Sequence, residues 1–186
     1  MIQISRNSLP KRPIPAILSR MRTISTALAG YDGKNIAYLG QITAEFGHDP
    51  QYLDALIACC TSQDAKTTDG ATWLLKDRLN EGASLTQAQS DALLASVSAF
   101  RDWPAKLHVS QMFRHLSPSM GAVRLCAPDL AEWTKSDKAM LRAWALDAFA
   151  HLAGQFEGFN AQATKLLQEA QNDESPAVQA RLRNLK

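Results

Sequence analysis

Apolar residues recur every three or four positions along almost the whole chain. The clearest run lies in 138–154, where the apolar side chains of one helical face are Leu141, Trp144, Ala145, Ala148, Phe149 and Leu152. A helix with such a face must bury it against another element. No stretch shows a sustained alternation of apolar and polar residues rich in Val, Ile and Thr. The sequence therefore predicts an all-α protein with no sheet.

Helix breakers fall between the apolar runs and predict ten helices. The predicted spans are 14–29, 33–46, 50–61, 66–80, 86–100, 104–116, 118–135, 138–154, 159–171 and 176–185. Pro128 lies within the seventh span, and we expect it to kink or split that helix because proline lacks the backbone N–H of a helix interior.

An aspartate stands ahead of every second predicted helix. The five are Asp32, Asp64, Asp102, Asp137 and Asp173, at intervals of 32, 38, 35 and 36 residues. An aspartate in this place can accept hydrogen bonds from the free N–H groups that open a helix. The regular interval predicts a series of similar helix pairs, each of which buries its apolar face against its neighbours.

Two segments share a motif around this aspartate, SDKAMLR at 136–142 and DESPAVQ at 173–179. Both resemble the armadillo/HEAT type of repeat, in which the aspartate is followed by proline, valine and a basic residue; Gln179 stands in the place of that basic residue. The resemblance covers roughly residues 14–185. It implies a right-handed α-α superhelix of about five helix pairs, whose second helices line a concave surface that holds peptides, proteins or nucleic acid.

Positive charge is concentrated at the N-terminal end of the chain. The net charge is +2, yet from Asp32 onward 15 basic residues face 18 acidic ones. The five basic residues before Tyr31 are Arg6, Lys11, Arg12, Arg20 and Arg22. We predict a basic N-terminal arm over 1–13 and a single HEAT-like helical repeat domain over 14–186. Such an arm either contacts phosphate or an acidic surface, or is only solvated.

Neither a membrane span nor a disulfide is expected. No apolar run approaches the roughly 20 residues that cross a bilayer. The N-terminal segment lacks the uninterrupted apolar stretch of a secretory signal, which favours a cytoplasmic protein. The cysteines are Cys59, Cys60 and Cys126, and we interpret them as small core residues.

Signatures of catalysis are missing from the sequence. Glu45 and His48 form a Glu-x-x-His motif that has no second copy, so no metal site is predicted. His108 and His115 lie two helical turns apart, too far to bind one ion together, and are expected at a surface or in a groove. There is no Cys-x-x-Cys motif, glycine-rich phosphate loop or nucleophile elbow. We predict no catalytic residues and no cofactor.

The leading hypothesis for function is a non-enzymatic interaction module that binds a protein or a peptide in a groove. Its contacts would be polar residues opposite the buried faces of the second helices, which mix both charges. These predicted contacts are Thr72, Lys76, Gln111, Arg114, Arg142 and Asp147.

Two alternatives involve nucleic acid. A HEAT-like family of DNA glycosylases for alkylated bases is similar in placing tryptophans and an aspartate on the concave surface; here the participants would be Trp144, Asp147 and Arg142. The acidic balance from Asp32 onward makes a weak field for duplex DNA. In the second alternative, the basic arm tethers the helical domain to nucleic acid or to an acidic surface.

Overall fold

The computed structural model describes residues 24–185, and this part of the chain contains helices and no strands. After the helical residues 24–29 (α1), the helices are α2 (Ile36–Phe46), α3 (Tyr52–Cys59), α4 (Ala65–Asn80), α5 (Gln87–Ala95), α6 (Trp103–Met112), α7 (Met120–Trp133), α8 (Ala139–Gln155), α9 (Asn160–Glu169) and α10 (Pro176–Asn184). Short 3-10 turns follow α5, α6, α8 and α9. The all-α prediction is confirmed for these residues. None of the described helices is long and apolar enough to cross a bilayer.

Pro128 does not split α7, contrary to one of the two expected outcomes. The helix runs without a break from Met120 to Trp133. Both Pro128 and Arg124, one turn earlier, are exposed. Water can therefore bond to the Arg124 carbonyl, which the missing N–H of the proline leaves free.

Only one of the five periodic aspartates caps a helix in the predicted way. Asp64 is the first-turn cap of α4, where it accepts hydrogen bonds from the N–H of Thr67 at 3.0 Å and from its hydroxyl at 2.6 Å. Asp102 occupies the cap position of α6 but makes no side-chain bond there. Asp32 accepts from the N–H groups of the loop before α2, whose own cap is Asn35.

The remaining two aspartates bind side chains. Asp137 pairs with Lys138 at 2.9 Å, and Asp173 accepts two hydrogen bonds from Arg142 at 2.7 and 3.0 Å. Lys138 and Ser175 occupy the cap positions of α8 and α10. Both helices begin too late for the aspartates to reach their first N–H groups, so the period reflects more than capping.

The helices pack in two rows. In one row α4 packs against α6, α6 against α8, and α8 against α10; we call these four helices the second-helix row. In the other row α3 packs against α5, and α5 against α7. Contacts between α3 and α4 and between α7 and α8 join the two rows. Within these two rows each helix thus touches the helix next but one along the chain, which is how stacked helix pairs bury their faces.

Gly70 allows the first helices to approach α4 closely. A Cβ atom at this position would lie 2.9 Å from Leu28 Cδ2, 3.2 Å from Tyr31 Cδ1 and 3.3 Å from Leu39 Cδ2. All three neighbours are buried. Glycine at this point therefore lets α1, α2 and the loop between them pack closely against α4.

Candidate functional site

A line of side-chain contacts crosses the second-helix row from α4 to α10. Its residues, which we call the polar ladder, are Thr72, Lys76, His108, Gln111, Arg114, Asp147 and Arg181. The four pairs are separated by 36, 35, 33 and 34 residues along the chain. These intervals match the spacing of the periodic aspartates, so each contact joins equivalent positions of neighbouring helix pairs.

Lys76 is the ladder's first cation and is half-buried on α4. Its Nζ donates to Gln111 Oε1 on α6 at 3.3 Å and lies 5.9 Å from the centre of the Trp73 ring. No carboxylate lies within ion-pair distance of Lys76 among residues 24–185. Burial lowers the pKa of this amine. The negative charges of Asp77 and Asp69 act in the opposite direction and favour the charged amine.

Asp69, Thr72 and His108 form a buried polar cluster next to Lys76. His108 Nδ1 lies 3.1 Å from Thr72 Oγ1 and 3.4 Å from Asp69 Oδ1. The Thr72 hydroxyl is also 2.9 Å from the carbonyl oxygen of Thr68 and 3.0 Å from that of Asp69. Both side-chain contacts of the imidazole use the same ring nitrogen, so His108 cannot relay a proton between Thr72 and Asp69 as in a catalytic triad.

Burial moves the pKa values of this cluster in opposite directions. It raises the pKa of Asp69 from its ordinary 3.8 to about 6, with a further contribution from the negative charge of Asp102. It lowers the pKa of His108 from 6.5 to about 3, and the charge of Lys76 acts in the same direction. The imidazole is therefore neutral at neutral pH.

These shifts predict a specific pH dependence for Asp69→Asn. Because the Asp69 pKa is raised on folding, the carboxyl contributes stability below pH 3.8 that is lost as the pH rises through about 6. The lowered pKa of His108 has the opposite slope over this range. Removing the carboxyl should therefore stabilise the variant relative to the wild type by roughly 1–2 kcal/mol as the pH rises through this window.

Urea unfolding of both proteins at several values within the window measures this difference. We expect the free energy of unfolding of Asp69→Asn to increase steadily relative to that of the wild type as the pH rises from 3.8 to about 6. A free-energy difference between the two proteins that stays constant across the window would contradict the raised pKa of Asp69.

The second cluster of the ladder is built around Asp147, whose side chain is only 1% exposed. Arg114 donates from Nε to Asp147 Oδ2 at 2.8 Å and from Nη2 to Oδ1 at 2.9 Å. Arg181 Nη1 on α10 lies 3.5 Å from the same Oδ1. The Arg181 guanidinium also lies 3.5 Å above the centre of the Trp144 ring, a cation–π contact. One buried carboxylate thus orients two arginines from both neighbouring helix pairs.

The structure separates Arg142 from the other predicted contact residues. Its guanidinium binds Asp173 and donates to the carbonyl of Ser136 at 2.8 Å. It therefore joins the loop before α8 to the turn before α10. Arg142 therefore does not contact Asp147, although the glycosylase hypothesis grouped these two residues.

Five of the six predicted contact residues belong to the polar ladder, but two of them are not on the surface. Lys76, Gln111 and Arg114 reach solvent. Thr72 is 0% exposed and Asp147 is 1% exposed, so the expectation that a partner contacts them directly needs correction. Stacking of α6 on α4 covers Thr72, and both arginines cover Asp147.

Sequence reasoning did not assign Asp69 or Arg181 to the contact surface, and His108, which was expected at a surface or in a groove, is buried. The signal that would have found them is the repeat interval itself. A step of 34 residues leads from Asp147 to Arg181, and a step of 36 leads from Thr72 to His108. The stacking of Trp144 under Arg181 has no such signal, since the pattern placed Trp144 on an apolar face.

Other candidate sites are weaker. Within the described part of the chain, no group of three or more His, Cys, Asp or Glu residues is arranged to hold a metal ion. The three cysteines are free and buried, and burial raises the pKa of Cys59 to about 11 and of Cys126 to about 12. Their thiols are therefore protonated at neutral pH and poor nucleophiles. The basic residues Arg6, Lys11, Arg12, Arg20 and Arg22 lie outside the described residues.

A pocket of about 380 Å³ lies where α6 and α8 begin. Trp103, which is 43% exposed, lines it. Two of the lysines in its wall have carboxylate partners, Lys138 with Asp137 at 2.9 Å and Lys135 with Glu132 at 3.7 Å. The wall also contains Arg101, Lys106 and Asp102, so cations and carboxylates are mixed in this pocket.

Comparisons with protein-family models, with characterised proteins and with solved structures give no match.

Proposed function

We propose that this chain is a HEAT-like right-handed α-α superhelix and acts as a non-enzymatic interaction module. Its partner, a protein or a peptide, binds across the second-helix row. The next-but-one packing of the helices supports the superhelix, because stacked pairs with a small rotation between them produce this contact pattern. The resemblance of 136–142 and 173–179 to HEAT repeats agrees with it.

The polar ladder is the observation that carries this proposal. Its cations and its amide lie toward solvent, whereas the acidic side chains of the two clusters, Asp69 and Asp147, are buried. Trp73 and Trp144 add half-buried aromatic surface beside the cations. A row of oriented donors with aromatic neighbours is typical of recognition surfaces.

The geometry favours binding over base excision at this row. A catalytic aspartate must reach its substrate, yet Asp147 is buried and both of its oxygens accept hydrogen bonds from Arg114. In the Asp69 cluster, the same nitrogen of His108, Nδ1, contacts both Thr72 and Asp69. These arrangements hold side chains in place and leave no free acid or base in contact with solvent.

Affinity capture with a charge-reversal variant tests this function. Wild-type protein, Lys76→Glu and the control Lys165→Glu are immobilised and exposed to extract of the native cell. Lys165 lies on α9, where its side chain is 76% exposed and outside the ladder. We expect a stoichiometric partner with the wild type and the control, and at least tenfold less of it with Lys76→Glu.

Circular dichroism of the three proteins checks that all are folded. Retention of the partner by Lys76→Glu at the wild-type level would contradict binding at the row. Absence of any stoichiometric partner, together with turnover of a candidate substrate, would contradict a non-enzymatic module.

A further inference from the structure

From the arrangement of Arg114, Arg181 and Trp144 over the buried Asp147, we infer that this end of the ladder is a carboxylate-binding subsite. Together with Lys76, it selects an acidic peptide segment in extended conformation. The inference rests on the proposed function, because it names the chemistry of the partner that the second-helix row binds.

Arg114 and Arg181 have N–H donors that no described residue accepts from. A guanidinium carries five N–H donors. Arg114 uses two of them on Asp147, and Arg181 directs one at the same carboxylate. Neither arginine has another acceptor among the residues that the structure describes. The remaining N–H groups belong to two guanidinium groups that meet at the same oxygen, Asp147 Oδ1, and a carboxylate is the group that such donors bind most strongly.

The local charge of this cluster also favours an anionic ligand. Two guanidinium groups share a single negative charge, which leaves the cluster with one uncompensated positive charge. The Arg114 side chain is 48% exposed and that of Arg181 is 24% exposed, whereas Asp147 is 1% exposed. A ligand in front of the row therefore meets the cations first and the carboxylate only behind them.

Both arginines are held in place before any ligand arrives. Arg114 is fixed by its two bonds to Asp147, and Arg181 is fixed by the Trp144 ring beneath its guanidinium plane. Ordering a long flexible side chain on binding costs conformational entropy. Both arginines have already lost this entropy in the free protein, which favours binding of a small anionic group.

Spacing between the two positively charged points favours an extended peptide. Lys76 lies on α4, and Arg114 follows α6, the neighbouring helix of the row. Neighbouring packed helices are about 8–10 Å apart. An extended chain of the polyproline II type advances about 3.1 Å per residue with three residues per turn, so acidic side chains three residues apart lie on one face and span that step.

A nucleic acid fits these observations less well. Its affinity depends on neutralising many phosphates, whereas the ladder carries three cations. From Asp32 onward the chain has 15 basic and 18 acidic residues, so the field around the row does not attract a polyanion of high charge density. A few carboxylates on a peptide match three cations.

Fluorescence anisotropy tests the inference with a short labelled peptide that carries glutamate at every third position. The same peptide with glutamine is the ligand control, and a labelled single-stranded oligonucleotide of similar length is the alternative. We expect the glutamate peptide to bind at least tenfold more tightly than the glutamine peptide, and more tightly than the oligonucleotide. Its affinity should fall as salt is added.

Arg181→Gln is the main variant, because Asp147 keeps its two bonds to Arg114 and the fold is retained. We expect it to weaken glutamate-peptide binding at least fivefold. Arg183→Gln is the matched control on the same helix, where Arg183 is exposed and lies outside the ladder, and it should bind like the wild type.

Equal binding of the glutamate and glutamine peptides, tighter binding of the oligonucleotide, or equal effects of the two arginine variants would overturn the inference. The proposed function has a separate outcome. A natural partner that Lys76→Glu loses but Arg181→Gln retains would leave the interaction module intact and remove the carboxylate subsite.

Discussion

Phe149→Ala is expected to lower the free energy of unfolding by about 3–5 kcal/mol, the range for removing a buried phenylalanine. Phe149 is 1% exposed, and its ring meets that of Phe159 edge to face with centroids 6.3 Å apart. It lies on α8, which packs against α6, α7, α9 and α10. Since small domains have only about 5–15 kcal/mol of stability, this single change removes a large share of it.

Urea unfolding followed by circular dichroism measures this loss. Leu125→Ala is the control, because Leu125 is 69% exposed on α7 and its truncation should change stability by no more than about 0.5 kcal/mol. Similar unfolding midpoints for the two variants would contradict the burial of Phe149.

Arg142→Ala is expected to destabilise the protein by about 2–3 kcal/mol. Arg142 and Asp173 are 20% and 16% exposed, and their two hydrogen bonds measure 2.7 and 3.0 Å. The same guanidinium also satisfies the Ser136 carbonyl. Removing it leaves a mostly buried carboxylate whose remaining hydrogen bond comes from the N–H of Ser175.

A double-mutant cycle with Asp173→Asn separates the pairwise interaction from other effects. We expect a coupling energy of about 1–3 kcal/mol between the two positions. Additive effects of the two substitutions would show that the pair does not join α8 to the turn before α10. Arg183→Ala, an exposed arginine on α10, supplies the baseline for loss of a surface cation.

The helices of this protein could be predicted well because their signals are local. Apolar periodicity and breaker residues place nine of the predicted spans over α2 to α10, and Leu141 and Phe149 are buried as expected. The first residues of the helices were predicted less accurately. The cap of α8 is Lys138 and that of α10 is Ser175, each one or two residues after the predicted aspartate.

The surface of the site was predicted only in part, because a helix in a stack has more than one buried side. Periodicity identifies the face of α8 turned toward the core, but it does not show that α6 and α10 cover a second face. That second contact buries Asp147 and brings Arg181 over Trp144. Lys76 and Gln111 lie in the equivalent contact between α4 and α6 and are only partly buried.

The side-chain bonds of the ladder join residues 33 to 36 positions apart. A chain whose contacts are this local closes only short loops as it folds, which keeps contact order low and folding fast. In the proposed superhelix, any two neighbouring helix pairs can act as the nucleus, to which the others add in either direction. Opening from one end would then remove one pair at a time, while the pairs farther along remain assembled.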